Sequence, residues 1–272
     1  MLSVMTNNAS NIAQNSVNKN NDLLSNAMER LSTGLRINSA ADDAAGLQIA
    51  TRMNANITGM EAASRNVSDA TSMLQTADGA LDELSVIANR QKELATQAAN
   101  GVNSAEDQAA IKAEFTALGE EMERIITDTT YAGNDLFGTI GGNVEFQIGA
   151  GSGERLAVDG AGIADIKDEI TAIKDLTSAV IADGGITKID GFIDKVGAMR
   201  SELGASINRL GHTASNLTNV TENTKAAAGR IMDADFAAET AAMSKNQLLV
   251  QAGTNILSSS NQNTGLVMGL LG

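Results

Sequence analysis

Apolar residues recur every seven positions through the first half of the chain, at Met53, Met60, Val67, Leu74, Leu81, Ala88 and Ala95. Ala63, Ala70, Ala77 and Leu84 fill the position three later, and most other positions between them are polar. A repeat of this kind lays both sets along one stripe of a helix, a coiled-coil-like seam whose small residues permit close approach of a partner. The pattern predicts one helix over residues 43–100, stopped at Gly101. At about 1.5 Å per residue the seam runs for roughly 60 Å, longer than helices of ordinary compact domains, and suggests a rod. A second seven-residue repeat, Val196, Leu203, Leu210 and Leu217, is widened by Ile207 and Ala214 and predicts a helix over about 187–230.

Shorter elements lie between these two. Ser104 followed by Asp107 is a weak form of the capping box, and it opens a helix whose apolar face is Ile111, Phe115, Leu118, Met122 and Ile125. That helix ends before the turn-rich run that starts at Asp128. Val144, Phe146 and Ile148 then alternate with Glu145 and Gln147, the period of a half-buried strand. A glycine-rich turn at 149–153 and a return strand from Arg155 to Val158 complete a β-hairpin. Residues 163–182 read as a short helical stretch, with a break at Asp183 and the two glycines after it.

Both ends of the chain are amphipathic. Residues 1–33 are polar and Asn-rich, with a sparse stripe at Ala9, Ala13, Val17, Leu24, Met28 and Leu31. A lone helix of this kind buries too little to hold in water, so it needs a partner. Gly34 supplies the left-handed residue that ends a helix, and Ser39, Asp42 and Asp43 can cap the next one. At the other end Phe236, Met243, Val250, Leu257 and Leu271 keep a seven-residue spacing, flanked by Leu249 and Ile256.

Composition sharpens this picture. The 272 residues contain no proline, where average usage of about 5% would give roughly a dozen. Avoiding the strongest helix breaker favours long uninterrupted helices. Aromatics are only 2% of a chain that is 43% hydrophobic, so the core is built from Ala, Leu, Ile, Val and the 11 Met. Cysteine is absent, which removes disulfides, thiolate nucleophiles and cysteine-ligated zinc. No apolar run approaches the roughly 20 residues that span a bilayer, and the first residues have neither a basic region nor an apolar run, so no cleavable secretory signal is expected. The net charge of −14 argues against duplex nucleic acid and anionic membrane as partners, which need clustered Lys and Arg. Self-association has to overcome that charge through apolar burial or local pairing.

No motif carries chemistry. The single histidine, His212, has no second His and no Cys with which to bind a metal or catalyse. Glu120, Glu121 and Glu123 share a helix with Arg124 and read as a solvated face. The glycines of 138–153 lack the Gly-Lys-Ser/Thr ending of a phosphate loop, and Asp233-Ala-Asp lacks the glycine and terminal glutamate of a calcium loop. The expectation is a non-enzyme without cofactor or metal.

Residues 29–50, Glu-Arg-Leu-Ser-Thr-Gly-Leu-Arg-Ile-Asn-Ser-Ala-Ala-Asp-Asp-Ala-Ala-Gly-Leu-Gln-Ile-Ala, resemble the amino-terminal signature of bacterial flagellin nearly residue for residue. Arg200 to Leu210 resembles the carboxyl-side rod helix of that family, residues 233–240, 244–247 and 251–254 its terminal helix, and Asn143 to Val158 its hairpin. The fold this implies is mainly α: a long antiparallel coiled-coil-like rod with a small β-hairpin, plus a pair of terminal helices. Two discontinuous domains are implied, an inner one from 1–42 with 232–272 and an outer rod from 43–231. Met53, Met60, Val67, Leu74, Leu81, Val196, Leu203, Leu210 and Leu217 would form the rod seam. Leu24, Met28, Leu31, Phe236, Met243, Leu249, Val250, Ile256 and Leu257 would be the stripe buried on assembly.

The function implied by the resemblance is structural: many copies stack into the flagellar filament used for swimming. Its partners would be other copies of itself, an export chaperone, the flagellar export apparatus, and the filament cap and junction proteins. The protein would be extracellular, exported through the flagellar channel. The rivals are a hook–filament junction protein, which usually departs from the 29–50 signature, and a non-flagellar signalling coiled coil. Asn89 to Gln97 also resembles the segment through which a Toll-like receptor of animal immunity senses flagellins, with Arg90, Leu94 and Glu114 at its main contacts. Gln91 stands there where an apolar residue is usual, and Lys92 replaces a common arginine.

Overall fold

The computed structural model describes residues 7–174, 176 and 184–271, with side chains described as far as residue 262. The chain divides into two compact units, residues 1–55 with 223–272 (unit 1) and residues 56–222 (unit 2).

Unit 2 contains most of the long heptad helix, α2 (Ala44–Ala98), from residue 56 onward. The seam residues Met60, Val67, Leu74, Leu81, Ala88 and Ala95 are buried, as are Ala63, Ala70, Ala77 and Leu84. α3 (Ala105–Asp128) follows a short turn. Its start is a complete capping box: Ser104 Oγ accepts from the Asp107 N–H at 3.1 Å, and Asp107 Oδ2 accepts from the Ser104 N–H at 3.0 Å. Two orphan donors of the first turn are thereby satisfied. α5 (Ala161–Lys174) and α6 (Ile186–Met232) complete the helical set.

Ion pairs show the directions of these helices. Lys92 meets Asp190, while Arg200 meets Asp78 and Asp82 fourteen and ten residues earlier in α2, so α2 and α6 run antiparallel. Arg90 pairs with Glu114 of α3, Lys174 of α5 with Glu123, and Lys195 of α6 with Glu169 of α5. Phe115, Met122, Ile166, Ile170, Phe192, Val196 and Leu203 come together with the α2 seam in one apolar core. Leu210 is fully buried, while Met53 and Leu217, at the ends of the two repeats, are half-buried.

The β-hairpin forms where the sequence predicts it. β3 (Val144–Gln147) pairs antiparallel with β4 (Arg155–Val158), with Val144 opposite Val158 and Phe146 opposite Leu156. These four form the core-facing side, and Arg155 bonds Glu145 at 2.8 Å on the other. The hairpin is held to α2 where Asn66 Nδ2 donates to the Gln147 carbonyl at 3.2 Å.

Two small elements between α3 and the hairpin were not expected. β1 (Thr130–Tyr131) and β2 (Asn134–Asp135) form a tight hairpin whose turn uses positive φ at Ala132 and Gly133. A short helix, α4 (Leu136–Gly141), follows and buries Leu136, Phe137 and Ile140. The first lies in the run from Asp128 that reads from sequence as turn-rich, and α4 overlaps the start of the glycine cluster 138–153, which reads as hairpin. Six residues are too few to show a helical period, so only packing reveals α4. The helical stretch expected over 163–182 is α5 as far as Lys174; residue 175 and residues 177–182 lie outside the described residues.

Unit 1 joins both ends of the chain. α1 (Asn8–Thr33) pairs antiparallel with α7 (Phe236–Leu271). Ser10 Oγ donates to Asn261 Oδ1 at 3.0 Å at one end of the pair, and Arg30 meets Glu239 at 3.3 Å at the other. The helices approach closely because Gly253 faces Val17; a Cβ there would lie 2.5 Å from Val17 Cγ2. α1 ends at Gly34, at φ 74°, whose N–H bonds the Arg30 carbonyl at 2.9 Å. Beyond it Leu35 bridges Asp233, flanked by bonds from the Arg36 N–H to the Met232 carbonyl and from the Ala234 N–H to the Gly34 carbonyl.

Candidate assembly surface

The junction after α1 fixes where unit 1 presents its side chains. Asp42 Oδ2 accepts from the Ser39 and Asn38 N–H groups at 3.0 and 3.1 Å, and these bonds, with Arg30 nearby, hold its carboxyl below the usual carboxylate range. Asp43 Oδ1 accepts from the Gly46 N–H at 2.9 Å and caps the start of α2.

The α1–α7 pair buries little apolar surface. Within α1 only the small side chains of Ala13 and Ala27 are buried. Of the nine stripe residues, Met28, Phe236, Leu249 and Ile256 are exposed, at 48, 59, 41 and 60%. Leu24, Leu31, Met243, Val250 and Leu257 are half-buried. Ile12, Leu23, Ile49 and Leu248 are exposed as well, and sequence reasoning missed them. The signal was present in Leu248-Leu249-Val250, because three consecutive apolar residues cannot share one stripe of a helix. Unit 1 thus exposes eight large apolar side chains among its described residues, against Val86, Val102 and Val220 in the larger unit 2. Exposed apolar side chains gathered in one unit make it the candidate surface for association.

The three residues of the receptor segment do not share one exposed patch. Arg90 donates from Nε and Nη2 to Glu114 Oε1 at 3.0 and 2.8 Å, and from Nη1 to Glu93 Oε2 at 2.9 Å. Arg90 and Glu114 are half-exposed, and the bonds to Glu114 and then Glu93 hold the guanidinium charged. Leu94 is 2% exposed and belongs to the core of unit 2. Gln91 is fully buried three residues before it; its Nε2 donates to the Phe115 carbonyl at 3.0 Å and its Oε1 has no partner among the described residues.

No described helix is long and apolar enough to cross a membrane. Among the described residues no group of three His, Cys, Asp or Glu side chains is placed to hold a metal ion, and His212 lies exposed on α6.

Residues 4–141 match the family model for the bacterial flagellin N-terminal helical region, and residues 186–271 match that for the bacterial flagellin C-terminal helical region. The chain belongs to the bacterial flagellin family. It is 42% identical over 247 residues to a flagellin of Halalkalibacterium halodurans, an alignment that takes in 90% of each chain. It is 33% identical to flagellin A of Vibrio anguillarum over 376 aligned positions, 99% of each chain. A crystal structure of Bacillus cereus flagellin, 34% identical, overlaps 56% of this chain and 88% of its own with a TM-score of 0.49. As a flagellin, the chain is a structural subunit of the extracellular bacterial flagellar filament, and the junction-protein and signalling alternatives are not favoured.

Proposed function

We propose that this flagellin polymerises chiefly through unit 1, whose exposed apolar side chains become covered by neighbouring copies. Unit 1 is the inner layer of the filament in this reading, and unit 2 the outer rod that stiffens it. The observation that carries it is the eight exposed apolar side chains of unit 1, all but Ile49 on a helix pair in which α1 buries only two alanines. Each is about half exposed, so burial contributes on the order of 1 kcal/mol apiece. Together they reach the scale of the entropy lost on association, roughly 4–15 kcal/mol. The balance is close, which makes assembly responsive to conditions and to single substitutions.

The same surface accounts for the partners expected of the family. A cytoplasmic chaperone on the α7 stripe would keep copies apart until export through the flagellar channel. Cap and junction proteins would meet the same terminal helices at the filament ends. Recognition by a Toll-like receptor would use the exposed Arg90 and Glu114, with Leu94 packed behind them.

Light scattering and negative-stain microscopy of the purified chain in ammonium sulfate test the central reading. Sulfate strengthens apolar burial, so wild-type filaments are expected to form faster as it rises. Leu249→Asp is expected to abolish filaments while leaving the melting transition of unit 2 in place. A Leu249→Asp chain that assembles like wild type would refute the role of the stripe.

A further inference from the structure

The formal charge of the chain is unevenly divided. Residues 1–55 and 223–272 contain seven Lys or Arg and seven Asp or Glu, so unit 1 is neutral at pH 7. Residues 56–222 contain the other twelve Lys or Arg and 26 Asp or Glu, so unit 2 carries the entire net charge of −14. Seven of those twelve cations, Arg90, Arg124 and Arg200 among them, already hold carboxylates of their own unit. They are thereby spent within the chain, and few are left to bridge to acids of another copy.

We infer that the two units have opposed and separable roles in self-assembly: unit 1 attracts copies without an electrostatic cost, and unit 2 acts as a charge brake that sets the ionic strength at which assembly begins. The inference rests on the proposal that the chain polymerises through unit 1. Each added copy brings another fourteen uncompensated negative charges close to those already in place. Exposed charges interact over a Debye length of about 10 Å at 0.1 M salt, which shrinks to about 3 Å at 1 M. Added salt therefore relieves repulsion between unit 2 surfaces and has little to relieve between neutral unit 1 surfaces. The brake keeps the monomer soluble in spite of its exposed apolar stripe. It releases when copies are crowded together with their counterions.

The test measures the critical concentration for filament formation against sodium chloride, a salt chosen because chloride screens charge with little of the effect of sulfate on apolar burial. Three full-length chains are compared. The first is wild type. The second carries Glu83→Gln, Glu120→Gln, Asp194→Asn and Glu202→Gln, four exposed acids of unit 2. The third carries Asp22→Asn and Glu29→Gln, exposed acids of unit 1. The expected result is that the unit 2 variant lowers the critical concentration at 20 mM salt at least tenfold and flattens its dependence on salt, and the unit 1 variant leaves that dependence unchanged. All three should converge at 1 M. A second unit 2 set, Asp69→Asn, Asp165→Asn, Asp168→Asn and Glu222→Gln, stands in if the first alters the melting transition. Equal salt dependence in wild type and either unit 2 variant overturns the inference, as does a unit 1 variant that shifts it as much. Failure of wild type to form filaments at any salt overturns the assembly reading instead.

Discussion

At the scale of single residues, Gln91 is the anomaly of unit 2. It sits fully buried beside Gly119, with its Nε2 on the Phe115 carbonyl and its Oε1 without a partner among the described residues. A buried acceptor left unpaired costs about 1–3 kcal/mol, more than the net gain of one hydrogen bond, about 0.5–1.5 kcal/mol. The Phe115 carbonyl lies inside α3 and has a helical donor of its own four residues on, at Gly119. Gln91→Leu should therefore stabilise unit 2 by about 1 kcal/mol, a rise in Tm of about 2–4 °C. Thermal unfolding followed by circular dichroism measures it, and a lower Tm would mean that the amide holds the α2–α3 pairing. The same burial explains why Leu94 could not be placed from sequence. Arg90 and Leu94 are one turn apart, but a helix face wide enough to hold both can still point one into the core and the other out.

At the scale of elements, the helices of unit 2 were legible because the heptad residues of α2 and α6 are also the buried ones. The start of α3 was legible too, since Ser104 and Asp107 make the capping box the spacing suggested. The Ser104 side chain, and then its N–H, hold the Asp107 carboxyl below the usual carboxylate range. The folded value lies below the unfolded one, so this cap stabilises fully above the ordinary carboxylate range and is lost as pH falls through the folded value. Amide exchange at residues 105–108, corrected for the intrinsic rate at each pH, should thus become several-fold less protected below about pH 4. Asp107→Ala should show that lower protection at neutral pH already. An α3 amino end equally protected in Asp107→Ala and wild type would show that packing alone holds it. Elements without a period, the β1–β2 turn and α4, were invisible for the opposite reason. Their conformations answer to the core beneath them, where Leu136, Phe137 and Ile140 are buried.

At the scale of the whole molecule, the two units differ in how they are stabilised. Unit 2 has a continuous apolar core from Val67 to Leu210. Among its described residues unit 1 buries only alanines and Ile37 as apolar side chains, with a few end bonds and the junction at Leu35 and Asp233. Local stability follows buried apolar contact, so unit 1 should open far more readily in the monomer. Hydrogen exchange on unassembled chains should find residues 8–33 and 236–257 exchanging within seconds to minutes, and α2 between 67 and 95 protected for hours. The terminal helices should become protected in filaments, which is folding coupled to association. Slow exchange through 236–257 before assembly would contradict this.

The sequence by itself determined the helical class, the two heptad seams, the alternation along the first hairpin strand and the amphipathic ends, because each is a local period read off consecutive residues. It also determined the total charge. Only the tertiary structure decided which apolar residues of the ends stay exposed, that Leu94 and Gln91 turn inward, and where the unit boundary falls across the charges. Those outcomes depend on which helix faces which, and a period along one helix does not contain that information.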